Sequence, residues 1–301
     1  MRVSFSEAGS RDSPVILCIP PSFCSRYVAG PNFELRARKF GVRVITVDRP
    51  GMGGTERCST EERLEVSAKH VTSVLEYLGV HKAAIVTHSS GAIFTLDLLA
   101  NYPAVVGPSP RVYLMSSWIP TSMSSQFGLQ LIPSPLVGNQ HKFLPTFVSI
   151  AKGVGPAFAF SSGFINHSRK EKEKKENDDW VIPERFRKEG EKYEPKAPYH
   201  VKLSNSSEIG KCIDKSWYRK TVAAIARGYV ARGDKVMIEQ WWAEKDGLVP
   251  KKGRDWFDEL MSTAGDAIEY HSAELEGLGH DDPTAKIEVV GAIFEDVREH
   301  A

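Results

Sequence analysis

The segment from Ala83 to Asn101 limits the fold more than any other part of the chain. Ala83-Ala84-Ile85-Val86 is an apolar run of strand length, and it passes through Thr87-His88-Ser89-Ser90-Gly91 into a helical run, Ala92 to Asn101, that stops before Pro103. A strand that turns at once into a helix is half of a βαβ unit. The same grammar recurs on both sides. Val15 to Ile19 is a continuous apolar run closed by Pro20-Pro21, and the β-branched run Val42 to Val47 ends in Asp48-Arg49-Pro50-Gly51-Met52-Gly53-Gly54-Thr55, a stretch too rich in Gly and Pro for either regular structure. Leu64, Ala68, Val71, Leu75 and Leu78 recur three or four apart before Gly79, which predicts an amphipathic helix over Thr60 to Leu78. Arg111 to Ser116 reads as another strand. Runs without polar alternation are strands buried on both faces, so the pattern predicts a parallel α/β sheet joined by right-handed crossovers.

The alternation lapses from about Trp118 to Val230 and resumes at Val236 to Trp241, followed by a helix over Gly253 to Met261, a short strand over Ala267 to Tyr270 and a closing helix over Thr284 to Val297. The 301 residues would by length alone suggest about two domains. The resumption instead predicts one core, 1–117 and 231–301, with an insertion at 118–230. That insertion holds an apolar half, Phe127 to Phe164, and the run Arg169 to Glu176, whose charges cancel as on a solvated helix face. Overall, 39 basic residues stand against 38 acidic ones, a net charge of +1. With no basic cluster there is no footprint for nucleic acid or an anionic membrane surface.

No run of 18 apolar residues occurs, so no transmembrane segment is expected, and the polar N-terminus lacks an export signal, so a cytoplasmic protein is expected. Cys18, Cys24, Cys58 and Cys212 form no CxxC pair and read as free thiols. In that compartment the sequons at Asn166 and Asn205 carry no weight.

Chemistry enters at Ser89. Thr87-His88-Ser89-Ser90-Gly91 sits where a nucleophile elbow of the G-x-S-x-G type would sit, with Thr87 in place of the first glycine. Ala159 to Gly163 has similar spacing, but a charge run follows it rather than an apolar helix. Ser89 could also simply cap a helix. Two other loops bear on the choice. The strand from Val236 to Trp241 leads to Asp246, ahead of Gly247, and His280 stands in the loop Leu278 to Pro283 before the last helix. Serine, acid and histidine in that chain order, each in a loop after a strand, are the arrangement of a hydrolytic triad.

In strand order, elbow, acid loop, histidine loop and insertion point, the whole chain resembles the α/β-hydrolase fold family, specifically its serine-nucleophile, esterase- and lipase-like members. The resemblance implies a mostly parallel sheet of about eight strands with helices on both faces, and a mainly helical cap inserted after the sixth strand, where Trp118 begins the insertion. Ser89 would be the nucleophile, His280 the base and Asp246 the acid that orients it. The position at which some relatives carry the acid is here Ser116-Ser117-Trp118, without a carboxylate. The oxyanion hole would take the N–H of Ser90 and one from the loop after the first apolar strand. There Pro20-Pro21 replaces the usual His-Gly and has no N–H to give, leaving Ser22, with Phe23 and Cys24 as alternatives. The loop Asp48 to Thr55 matches a structural loop of the family. Neither cofactor nor metal is expected.

A serine at the elbow argues against relatives that attack with aspartate, such as epoxide hydrolases, and leaves acyl chemistry. Phe23, Cys24, Trp118, Phe127, Phe143 and Phe147 are the candidate lining of a pocket for a hydrophobic small molecule, although aromatic residues of an insertion more commonly form its own small core. His88 reads as packing and Cys24 as an inert thiol. Three functions stay open: a carboxylic ester hydrolase, the same triad redirected to carbon–carbon cleavage, lyase or acyl-transfer chemistry, and a ligand-binding receptor built on the same fold.

Overall fold

Strands stand where the apolar runs stand. They are β1 (Phe5–Ala8), β2 (Val15–Ile19), β3 (Arg43–Val47), β4 (Ala84–His88), β5 (Arg111–Met115), β6 (Val236–Ala243) and β7 (Ile268–Leu275). In this computed structural model, residues 2–21, 24–26, 31–124 and 213–300 are described. The strands form one sheet in the order β1-β3-β2-β4-β5-β6-β7. β1 is antiparallel to β3, and the remaining pairs are parallel. The sheet thus has seven strands among the described residues where about eight were expected.

The helices are α1 (Pro31–Phe40), α2 (Arg63–Tyr77), α3 (Gly91–Asn101), α4 (Lys215–Ala231), α5 (Lys251–Ser262), α6 (Asp282–Ala285) and α7 (Ile287–Glu299). They cover both faces of the sheet, and the two-residue period of the strands decides which side chain meets which layer. Leu17, Ile19, Ile45, Val47, Ile85, Val112, Leu114 and Ile238 belong to one core with residues of α2, α3, α4 and α5. Ile16, Cys18, Val44, Val86, Tyr113 and Met115 point the other way, into a core with Ala37 of α1 and Val290, Ile293, Phe294 and Val297 of α7. Among the described residues no helix is long and apolar enough to cross a membrane.

Several elements depart from the sequence pattern. Phe-Ser-Glu-Ala of β1 has no β-branched residue and is only half-buried; pairing at the sheet edge, Phe5 against Val47 and Ala8 against Val44, makes it a strand. The closing helix is two helices, because Lys286 is extended at φ −72° and ψ 124° between α6 and α7. α4 falls inside the stretch read as insertion, yet Tyr218, Val222, Ile225 and Tyr229 are buried with the residues of α3 and α5. Its N-terminus is capped by Asp214, whose side chain accepts from the Trp217 N–H at 2.8 Å. Ile119 and Ile213, at either end of the undescribed stretch, join the same core.

Two positions in the turn and helix after β4 have measurable consequences. A Cβ on Gly91 would lie 2.1 Å from Thr87 Oγ1 and 2.5 Å from the Ile19 carbonyl oxygen, so α3 touches β2 only because residue 91 has no side chain. Gly91→Ala is expected to cost about 1–3 kcal/mol in urea unfolding, as overpacked sites do. Asp97 of α3 is 8% exposed, and burial pushes its carboxyl up to about 6, opposed by a hydrogen bond from Asn101. The folded chain therefore holds this proton more tightly than the unfolded one, and stability is lost as pH rises from about 4 through about 6. Asp97→Asn should be more stable than the parent at pH 7.5 by on the order of 1–2 kcal/mol, with the gap closing near pH 4 in denaturant titrations.

Candidate functional site

Ser89 lies between the end of β4 and the start of α3 with φ at +53°, in the left-handed region that residues with a Cβ rarely occupy. Hydrogen bonds hold it there. Its N–H donates to the Met115 carbonyl at 2.9 Å, and its own carbonyl accepts the N–H groups of Trp118 at 3.0 Å and Ala92 at 3.1 Å. The turn is thereby strapped to the exit of β5. That exit is itself left-handed at Ser116, φ +45°, and is tied to β6 through the Ser116 N–H and the Trp241 carbonyl at 2.9 Å. Thr87, where glycine would be usual, fits because its hydroxyl donates to the Ile19 carbonyl at 3.0 Å. The close approach is made instead by Gly91.

Asp246 follows β6 with its side chain fully buried. Oδ1 accepts the N–H groups of Leu248 at 2.8 Å and Val249 at 3.0 Å, which forms the turn, and Oδ2 is left facing His280 Nδ1 at 2.7 Å. The two readings of Asp246, turn residue and site residue, are thus served by different oxygens. Arg254 of α5 donates to the Ala243 carbonyl at 3.2 Å and pairs with Glu274. The acid loop is laced to the segment that carries His280: Glu244 N–H to the Leu275 carbonyl at 3.0 Å, Lys245 N–H to the Leu278 carbonyl at 2.8 Å, and Gly277 N–H to Glu244 Oε2 at 2.7 Å.

His280 Nε2 lies 3.0 Å from Ser89 Oγ. With Nδ1 donating to a carboxylate, Nε2 is the bare nitrogen of the neutral ring and accepts from the serine hydroxyl. Serine, imidazole and carboxylate form one hydrogen-bonded chain, able to carry the hydroxyl proton onto the ring while the carboxylate balances the charge.

A second imidazole adjoins the first. His88 is buried, its ring centroid 5.0 Å from that of His280 and its Nε2 2.8 Å from the His280 carbonyl oxygen. Burial foremost, and then the charge of His280, push its pKa down to about 4. His88, His280 and Asp281 are also near enough together to offer ligands to a metal ion. Both ring nitrogens of His280 are already engaged, with Asp246 and with Ser89, so a cation there would have to dismantle the chain.

Of the residues singled out from sequence, Ser89, Asp246 and His280 come together. Ser90 is the buried N-cap of α3. Trp118 is half-buried; its N–H is held by Ser89, its carbonyl accepts the Tyr218 hydroxyl, and its indole Nε1 is buried without a partner. Cys24 is half-buried and burial raises its thiol pKa, with the Arg49 guanidinium acting in the opposite sense. Ser22, Phe23, Phe127, Phe143 and Phe147 lie outside the described residues.

The structure adds three residues that the sequence did not mark for the site: His88, Arg254 and Arg49. Arg49 is buried 4.9 Å over the Phe94 ring and donates to the Pro21 carbonyl, fixing the loop after β2. Its neighbour Asp48 is held by the Arg26 N–H at 2.6 Å, by the Arg26 guanidinium and by the Ser4 hydroxyl at 2.7 Å. Position in a Gly- and Pro-rich loop was the only signal for Arg49. For Arg254, on an amphipathic helix where arginine reads as solvated, there was none.

Known proteins resemble the chain at both levels. It is 28% identical over 168 residues to the 2-hydroxy-6-oxononadienedioate/2-hydroxy-6-oxononatrienedioate hydrolase of Burkholderia vietnamiensis, a match covering 49% of this chain and 54% of that protein. The corresponding protein of Paraburkholderia phymatum matches to the same extent. The chain thus spans about half the length of the curated relatives it matches. Among solved structures, the enol-lactonase from Burkholderia xenovorans LB400 superposes with a TM-score of 0.58 at 16% identity, covering 99% of this chain and 95% of that one. An epoxide hydrolase from Vigna radiata gives 0.61 at 15%, covering 99% and 97%. At such identities the structural likeness speaks for the fold alone. The description "Alpha/beta hydrolase family" matches residues 16–288, and by that match the chain belongs to the alpha/beta hydrolase family.

Proposed function

We propose that the protein is a serine hydrolase that cleaves a carboxylic ester, or a related thioester or amide, of a hydrophobic small molecule through an acyl-enzyme on Ser89. The observation that carries this reading is the continuous chain from Ser89 Oγ to His280 Nε2 at 3.0 Å and from His280 Nδ1 to Asp246 Oδ2 at 2.7 Å. In this mechanism the Ser89 oxygen attacks the acyl carbon as His280 takes its proton, and the Asp246 carboxylate stabilises the imidazolium. The N–H of Ser90 and one from the loop after β2, Ser22 first among the candidates, receive the charge that develops on the carbonyl oxygen. Collapse of the tetrahedral intermediate breaks the bond to the leaving group, which takes the proton back from His280. Water, deprotonated by the same ring, then attacks the acyl-serine, and breaking of the Ser89 ester bond releases the acid and restores the hydroxyl. The preference for a hydrophobic substrate in this reading rests on the sequence of the insertion after Trp118, whose Phe127, Phe143 and Phe147 lie outside the described residues.

A second reading keeps the triad and changes the bond. The relatives from Burkholderia vietnamiensis and Paraburkholderia phymatum are named as hydrolases of 2-hydroxy-6-oxononadienedioate and 2-hydroxy-6-oxononatrienedioate, names that contain no ester. Simple esters discriminate: rapid burst and turnover of p-nitrophenyl esters favours the esterase, whereas slow ester turnover with bleaching of a 2-hydroxy-6-oxo-dienoate chromophore favours carbon–carbon cleavage.

A fluorophosphonate probe is expected to label the wild-type chain once and Ser89→Ala not at all; an unlabelled, folded wild type would sink both readings. Ester turnover should fall by about 10³-fold or more in Ser89→Ala and by about 10³–10⁴-fold in Asp246→Asn, which keeps the shape but loses the charge. Across p-nitrophenyl esters, kcat/KM should rise from acetate to longer acyl chains; a preference for acetate would count against an apolar acyl site.

A further inference from the structure

We infer that His88 is a positioning residue: by donating its Nε2–H to the His280 carbonyl, it holds the base loop in register with the serine turn. The inference rests on the serine-hydrolase reading above, because it assigns a task only if Ser89 and His280 react together.

The geometry is specific. His88 is the last residue of β4 and the immediate neighbour of Ser89, so its ring is as firmly placed as the turn itself. A carbonyl oxygen can only accept, so the 2.8 Å contact between His88 Nε2 and the His280 oxygen assigns the proton to Nε2. The backbone of His280 otherwise depends on its own loop and on the acid loop. Gly279 N–H donates to Asp282 Oδ2 at 2.7 Å, Asp282 N–H donates to the Gly279 carbonyl at 3.2 Å, and Lys245 N–H donates to the Leu278 carbonyl at 2.8 Å. Those bonds set His280 against Asp246. The bond from His88 sets it against Ser89, without which the 3.0 Å serine contact rests on the imidazole alone.

Charge is consistent with this role. Burial first, and then His280, oppose a cationic His88; they prevail over the bond to the His280 carbonyl, the Asp281 carboxylate 3.8 Å from Nε2 and the buried Asp246, all of which favour it, so the ring is neutral at neutral pH. A neutral donor at this position can fix the loop without placing a second positive charge 5.0 Å from the ring that must accept the serine proton.

Three variants test the inference, with the fluorophosphonate labelling rate and ester kinetics as readouts and thermal melting as the check on folding. His88→Phe keeps bulk and loses the donor; it should label at least about tenfold more slowly, with kcat falling and KM nearly unchanged. His88→Gln carries an amide N–H at similar reach and should recover most of the rate. His88→Asn has the same chemistry on a shorter side chain and should not, so the Gln and Asn pair decides the matter even where the phenylalanine variant does not fold. Equal rates in folded Gln and Asn variants, or wild-type kcat in His88→Phe, overturn the inference while leaving Ser89 as nucleophile. Failure of the wild type to label overturns the nucleophile reading, and this inference with it. Independently of activity, long-range ¹H–¹⁵N spectra of the imidazoles between pH 6 and 8 should show His88 neutral and protonated at Nε2; an Nδ1-protonated tautomer contradicts the proposed bond.

Discussion

Left-handed backbone at a serine is unfavourable by roughly 1–2 kcal/mol, and the neighbourhood of Ser89 is arranged to impose it. The N–H and the carbonyl of that residue are engaged by β5 and by the chain that leaves it. The β5 exit is held in turn by β6, which carries Asp246, and the acid loop is laced to the segment that carries His280. One strained residue is therefore the first link of a sequence of backbone bonds that runs across four neighbouring strands of the sheet, β4-β5-β6-β7. Its sense is geometric, because parallel strands end their hydrogen-bond ladders on the same side and three such ends supply three loops that can face one another.

Asp246 shows how local and long-range demands can share one group. A carboxylate has two oxygens, and here one closes a tight turn on backbone N–H donors while the other reaches another loop. Burial of such a group is tolerable because each oxygen is paired, the condition under which charge is kept in a protein interior. The charge near His280 and the shape of its own loop are then set by the same side chain.

Much of this was legible in the residues alone, for identifiable reasons. Continuous Val, Ile and Leu runs mark doubly buried strands, and the passage from such a run into an apolar helix locates the turn at Ser89. Asp246 and His280 were legible through chain order, since each loop follows a strand and contains few other residues able to do the chemistry. What was hidden depends on neighbours that periodicity does not encode. β1 is a strand by virtue of what it pairs with, and Lys286 breaks a helix whose apolar spacing runs on regardless. α4 lies in the stretch read as insertion, where the strand–helix alternation of the sequence has lapsed, so the alternation rule passes over it. His88, Arg49 and Arg254 act by donating to backbone carbonyls of distant loops, and a carbonyl leaves no signature in a sequence.

The Tyr218 hydroxyl, given to the Trp118 carbonyl, ties the described chain just past β5 to α4, where the described chain resumes. Ile119 and Ile213 pin the same two ends from within. For a segment whose ends are fixed together, added length carries only a logarithmic entropic cost, about 0.6 kcal/mol for each doubling. The loop-closure cost of the residues between Ser124 and Ile213 therefore depends only weakly on their number, because contacts within the core hold Ile119 and Ile213 in place.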